Sequence, residues 1–244
     1  MALDGIVIAN LRHELDSKLS EGRIQKISMP DKDELVINIK NNRYIYKLLI
    51  SANASLPLMY LTEESKTNPM TAPNFCMLLR KYIGNARISK ISGLGLERII
   101  CIHLEHLDEL GDPASKKLYV EIMGKHSNII LVDKESNKII DSIKHIDSRQ
   151  SSIREVFPNK DYFFVKDEKE NILEENYKLP SEILEVSEPI SMKKFFYTNY
   201  LGFSPIISYE LLHNSNVDSD TNSANLDAES IRRIDENFVK LVDN

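Results

Sequence analysis

The sequence predicts an α+β protein: a β-sandwich flanked by helices, followed by a smaller all-helical part. Three observations lead there. Apolar residues step by four over the first twenty positions, alternate with polar ones from residue 35, and after residue 165 read as helical again. The order helix, three strands, helix, five strands packs most readily as a sandwich with helices against it. The 42% hydrophobic and 28% charged content is ordinary for a globular chain and excludes wholesale disorder or a fibrous class.

The first helix is predicted over residues 4–21. Asp4 is its N-cap, Val7, Leu11, Leu15 and Leu19 lie along one face, and Gly22 is the residue that stops it. Leu35, Ile37 and Ile39 alternate with polar residues, as on a half-buried strand. Asn41-Asn42 marks a turn, and extended runs follow at 44–48 and 56–61. Pro73 opens a second helix over 74–83, where its missing N–H has no partner to lose, and Gly84 ends it. Strands are expected at 86–91, 98–104, 117–123, 128–132 and 138–146, with an acidic loop from Leu107 to Pro113. The charge run 166–170 opens the helical part, which Pro180 and Pro189 cut into short helices. Residues 192–212 read as helix, tight hairpin, helix, and 228–242 as an amphipathic helix through Ile231, Ile234, Phe238 and Leu241. It ends without a cap, as the front part of a longer protein would. The domains expected are 1–168 and 169–244.

The net charge of −6 is uneven. Residues 1–100 carry 14 Lys and Arg against 10 Asp and Glu, and residues 101–244 carry 17 against 27. Between Lys66 and Arg98 six cations face Glu97 alone, which reads as a phosphate-facing patch or a solvated face. Cys76 and Cys101, each among apolar neighbours, point to buried thiols in a reducing compartment rather than a disulfide framework. No apolar run reaches the roughly 20 residues that span a bilayer. The first residues lack a basic stretch before their apolar run, so no secretory signal is read.

No Walker A, GxGxxG, HExxH or GxSxG string occurs. His103 and His106, three apart on a strand, face opposite ways and make poor co-ligands, so no metal and no cofactor is expected. Three polar sets remain. Glu97-Arg98 sits where a loop meets a strand. Residues 121–128 place Glu121, Lys125, His126 and small polar groups around Gly124. Residues 148–154 carry Arg149 and Arg154, whose planar forks suit phosphate. Each also has a plain reading as solvated polar surface.

Four stretches carry a resemblance: Met1 to Leu15, Met70-Thr71-Ala72-Pro73-Asn74-Phe75-Cys76-Met77-Leu78-Leu79-Arg80-Lys81, Glu121 to Asp133, and Ile139 to Pro158. They resemble the NFACT family over nearly the whole chain. The resemblance implies an N-terminal domain like that of formamidopyrimidine-DNA glycosylases, a helix-hairpin-helix domain after it, and a coiled coil beyond. It implies a cytoplasmic, ribosome-associated module with no membrane partner. Such a module would bind a large ribosomal subunit obstructed by peptidyl-tRNA and recruit charged tRNA, alanyl-tRNA in bacteria, for template-free tailing of the stalled chain. The family's Asp-Arg tRNA motif falls on Glu97 and Arg98, and its Glu-x-Met string on Glu121, Ile122 and Met123. Candidate RNA-backbone contacts are Arg80, Lys81, Arg87, Lys125, His126, Arg149 and Arg154. The hairpin Leu201-Gly202-Phe203 resembles a helix-hairpin-helix loop, able to take a phosphate or to serve as packing.

The glycosylases use an N-terminal proline amine beside a glutamate. Ala2 and Leu3 stand in those places, so the imine chemistry has neither nucleophile nor acid, and no enzyme is expected. Bacterial members are often labelled fibronectin- or fibrinogen-binding, which leaves a surface adhesin as the alternative.

Overall fold

The computed structural model describes residues 3–108, 110–151 and 153–243. Met1, Ala2, Glu109, Ser152 and Asn244 lie outside the described residues, so the reading of Ala2 and of those members of the acidic loop and the polar segment has no structural counterpart. The chain divides into two compact units. One holds Met1–Leu3, Val7–Leu94 and Arg98–Val165; the other holds Asp4–Ile6, Gly95–Glu97 and Lys166–Asn244.

Among the described residues the first unit is built on nine antiparallel strands. Helix α1 (Gly5–Leu19) precedes β1 (Arg23–Asp31), β2 (Glu34–Asn41), β3 (Tyr44–Ser51) and β4 (Leu58–Leu61). Helix α2 (Asn74–Ile83) leads to β5 (Arg87–Gly93), β6 (Ile99–Leu107), β7 (Pro113–Glu121), β8 (Asn128–Asp133) and β9 (Ile139–Ser142). The strand order is β4-β3-β2-β1-β5-β6-β7-β8-β9. The predicted sandwich is therefore one continuous sheet. Its halves meet through a single register pair, Arg23 with Arg87, and through Ile24 N–H to Ala86 O (2.9 Å) and Ile88 N–H to Gly22 O (2.8 Å). Both halves nonetheless feed one core, which takes Leu48 and Ile50 from β3, Leu118 and Leu131 from β7 and β8, and Leu79 and Ile83 from α2.

Strand β1 was not foreseen. A register shift between Ile24 and Lys26 interrupts its two-residue alternation, and Pro30 reads as a strand breaker. On α1 the buried face runs through Ile8, Leu15 and Leu19, while Val7 is exposed. Glu21, at φ 71°, takes the left-handed position expected of Gly22. Gly22 is needed for space instead: a Cβ there would meet Ile39 Cγ2 at 2.7 Å. Helix α2 has the predicted span and ends at Gly84.

The strands alternate between two apolar layers. Cys101, Tyr119, Ile130 and Val132 face away from the main core into a smaller cluster, closed by Val156 and Tyr162. On the opposite face, that of Leu118 and Leu131, Lys116 pairs in register with Asp133, and its Nζ donates to Asp133 Oδ2 at 2.8 Å. Burial works against the Asp133 carboxylate, yet Lys116 and Ser136 prevail and hold its pKa at about 2. A carboxyl depressed in the fold stabilises it above the unfolded pKa of about 3.8, and that contribution fades as pH falls towards 2. Asp133→Asn is therefore expected to cost about 1–2 kcal/mol at pH 7, an effect that disappears below pH 2. Urea unfolding across that range checks it, and an equal loss at both ends would contradict it.

The second unit is helical. It contains α3 (Pro180–Leu184), α4 (Met192–Asn199), α5 (Pro205–Asn214) and α6 (Ala228–Val242). Phe195, Phe196, Tyr200, Phe203 and Phe238 form its aromatic centre, with Phe196 edge-on to Phe195 at 5.2 Å. In the α4–α5 turn, Gly202 has φ 83°, and a Cβ there would meet Leu96 Cβ at 2.8 Å. Gly5 N–H donates to Gly202 O at 3.1 Å. Ser204 Oγ caps Ile207 N–H at 3.3 Å and donates to Asp4 Oδ2 at 2.7 Å. The turn is thus committed to packing within this unit, and a carboxylate already stands where the helix start favours negative charge. Among the described residues, no helix is long and apolar enough to cross a membrane.

Candidate nucleic-acid interface

The basic stretch from Lys66 to Arg98 does not form one surface. Lys66, Arg80, Arg87 and Arg98 line four separate depressions. Lys66 is paired with Glu34 at 2.7 Å, and Arg80 Nε donates to Ile27 O at 2.8 Å. Arg87 bridges Glu21 and Glu105, whose hydrogen bonds and charges raise its pKa. Lys81 is exposed, its ammonium 5.4 Å from the Tyr82 ring centre. Antiparallel strands and a helical step of 100° per residue separate what is contiguous in the chain.

A different set converges. In the first unit a depression of about 600 Å³ is lined by Arg98, Lys125, His126, Lys144, His145 and Arg154. Its apolar lining comes from Met123, Ile146, Ile153, Phe164 and Val165. Among the described residues no Asp or Glu lines it. The positive charge arrives from four segments. Arg98 enters just before β6, and its carbonyl accepts Ile122 N–H at 2.9 Å. The Arg98 guanidinium makes no hydrogen bond or ion pair with another described residue. Lys125 and His126 stand exposed on a single 3-10 turn, Gly124–His126. Gly124 takes φ 59° there, and Ser127 Oγ accepts Met123 N–H at 2.8 Å. Lys144 Nζ donates to the carbonyls of Ala52 and Ser127, the latter at 3.1 Å. His145 contacts Asp141 at 2.6 Å.

Glu121 lies beneath this set. It is 1% exposed at the end of β7, on the Tyr119 side of the sheet. Arg154 Nη2 donates to Glu121 Oε2, and Tyr162 Oη donates to Glu121 Oε1 at 2.9 Å. Arg154 Nη1 also donates to Phe163 O at 2.7 Å. The Tyr162 ring stacks on Tyr119 at 3.9 Å. Burial, and then the Glu121 charge, push the Tyr162 hydroxyl's pKa upward and keep it a donor. Burial opposes the charge on Arg154, but Glu121 outweighs it and raises the guanidinium's pKa.

The predicted residues therefore divide. Arg98, Met123, Lys125, His126 and Arg154 meet at the depression. Glu121 and Ile122 are buried, so neither presents its side chain to a ligand at the surface. Glu97 belongs to the second unit, where its carboxylate accepts Asp167 N–H at 3.3 Å. Arg149 is exposed and pairs with Asp147 at 2.5 Å. Arg80, Lys81 and Arg87 lie elsewhere. The reading from sequence missed Lys144, His145 and Tyr162. Only the two-residue step from Tyr119 to Glu121 hints at the aromatic side of the network.

The sequence matches a family model described as NFACT N-terminal and middle domains over residues 4–244. It is 44% identical over 162 residues to "Rqc2 homolog RqcH" of Bacillus subtilis (strain 168), covering 66% of this chain and 28% of that protein. It is 30% identical over 152 residues to "Archaeal Rqc2 homolog aRqcH" of Methanocaldococcus jannaschii, covering 62% of this chain and 19% of that protein. The chain thus spans less than a third of the length of either relative. Among solved structures, the N-terminal part of the fibronectin/fibrinogen-binding protein from Streptococcus suis superposes with a TM-score of 0.83 at 34% identity. That match covers 100% of this chain and 85% of the other. The N-terminal domain of the fibronectin-binding protein PavA from Streptococcus pneumoniae gives 0.79 at 36% identity, over 87% and 79%. The chain belongs to the NFACT family, of which it carries the N-terminal and middle domains.

Proposed function

We propose that this chain is a non-catalytic tRNA-binding module of a ribosome-associated quality-control factor. The whole factor would recruit charged tRNA, alanyl-tRNA in bacteria, to a large subunit blocked by peptidyl-tRNA. The observation that carries the reading is the depression holding Arg98, Lys125, His126 and Arg154 around an apolar lining, with no carboxylate among its described residues. Cations at a rim bind phosphates, which supply most of the affinity for RNA. An apolar floor accepts unstacked bases of a single-stranded loop, the part of RNA that proteins read. Relatives named as Rqc2 homologues support the same direction. On this reading residues 1–168 form the tRNA-facing domain, and 169–244 a helical part whose α4–α5 turn serves packing rather than a helix-hairpin-helix domain.

The test is binding of end-labelled total tRNA, followed by fluorescence polarisation. Arg98→Glu is expected to weaken binding at least about tenfold, since it removes one phosphate contact and adds a repulsion. The melting temperature should stay within a degree or two. Unchanged affinity in that variant would remove Arg98 from the interface. The solved relatives carry fibronectin-binding names, so immobilised fibronectin is the parallel arm. Saturable fibronectin binding without tRNA binding would favour an adhesin.

A further inference from the structure

Glu121 is buried, yet two polar side chains converge on it from residues 33 and 41 positions later in the chain. Its side chain is 0% exposed and that of Arg154 is 15%. A carboxylate placed so deep does not touch a surface ligand. Arg154 does line the depression. Of its five N–H donors, one goes to Glu121 and one to Phe163 O, which leaves donors for a ligand. The backbone around it is fixed as well. Ile146 and Val156 exchange hydrogen bonds at 3.0 and 2.8 Å, and Ser151 Oγ accepts Arg154 N–H at 3.3 Å. Tyr162, stacked on Tyr119, closes the other side of the carboxylate.

We propose that Glu121 is a positioning residue that acts on the RNA through Arg154: the Glu121–Tyr162 pair holds the Arg154 guanidinium in the lining of the depression, and Arg154 makes the contact with the nucleic acid. This rests on the tRNA-binding reading above. It assigns the two residues different roles, one internal and one ligand-facing. A guanidinium held by a buried carboxylate loses little freedom when it meets a phosphate or a base acceptor.

The experiment compares the 244-residue chain with Glu121→Gln, Arg154→Gln and the double variant, measuring both thermal melting and affinity for end-labelled total tRNA. The double variant carries two neutral partners in place of the ion pair. It should melt above the Arg154→Gln variant, because no lone charge is left buried. It should still bind tRNA about tenfold more weakly than the unmodified chain, one charge-assisted contact being lost. Its affinity should equal that of Arg154→Gln, so that Glu121→Gln weakens binding alone and adds nothing once Arg154 is gone. If the double variant binds tRNA like the unmodified chain, Arg154 is scaffolding and the proposal fails. It also fails if the two single effects multiply. Binding that is lost on Arg98→Glu but untouched by every Arg154 variant sinks this proposal and leaves the RNA reading standing. No tRNA binding by the unmodified chain sinks both.

Discussion

Replacing Arg154 with alanine is expected to lower stability by about 3–5 kcal/mol, the cost of stranding one partner of a buried ion pair. The partner stranded is Glu121, whose side chain has no exposure and would keep, among the described residues, only the Tyr162 hydroxyl as a donor. The same change frees the Phe163 carbonyl, which accepts from Arg154 at 2.7 Å. Urea unfolding monitored by tyrosine fluorescence measures the loss. Glu121→Ala should cost a similar amount, because it leaves a guanidinium mostly out of water beside the Phe163 carbonyl and the Tyr162 ring, 6.0 Å away, with no counter-charge. A loss under about 1 kcal/mol in either variant would place the pair in solvent exchange and contradict the geometry.

Phe238→Ala should cost about as much, again roughly 3–5 kcal/mol, for a different reason. Phe238 is 0% exposed and comes from α6. Its ring lies 4.7 Å from Tyr200, 5.7 Å from Phe203 and 6.3 Å from Phe196, so one side chain ties α6 to α4 and to the turn after it. Truncation removes the transfer energy of the ring and leaves a cavity that rigid aromatic neighbours refill poorly. The expected signature is a fall in the melting temperature with faster amide exchange in α4 and α6. Exchange unchanged in those helices would mean that the cluster does not hold them.

Much of the fold was legible because the local signals agreed with the tertiary outcome. Pro73 and Gly84 bracket α2, apolar alternation marks β2, and short apolar runs bounded by turn residues mark β6 to β8. Strand β1 was hidden because its bulge shifts the alternation and Pro30 sits inside it. The joining of two half-sheets into one was hidden too, since it depends on a single register pair. The site was only half legible. Arg98 and the turn at Gly124 stood out by residue type, and the fold brings Arg98, Lys125 and His126 to one depression. The contiguous basic stretch misled, because sequence proximity says nothing about which face a charge occupies. Lys144 and His145 reach the depression from a segment that carried no local signal, Arg154 reaches it from another, and Glu121 is internal. A linear reading has no access to such meetings, except through the period-two phase that puts Glu121 on the face of Tyr119.

On the proposed function, cations at one depression, lined by no Asp or Glu among the described residues, release the counter-ions condensed on RNA phosphates. The salt dependence of tRNA affinity measures that directly. For the unmodified chain log K should fall linearly with log salt concentration, and the Arg98→Glu/Lys125→Glu variant should show a slope shallower by about 1.4, two contacts at about 0.7 each. Equal slopes for the two proteins would contradict the account, whatever their affinities.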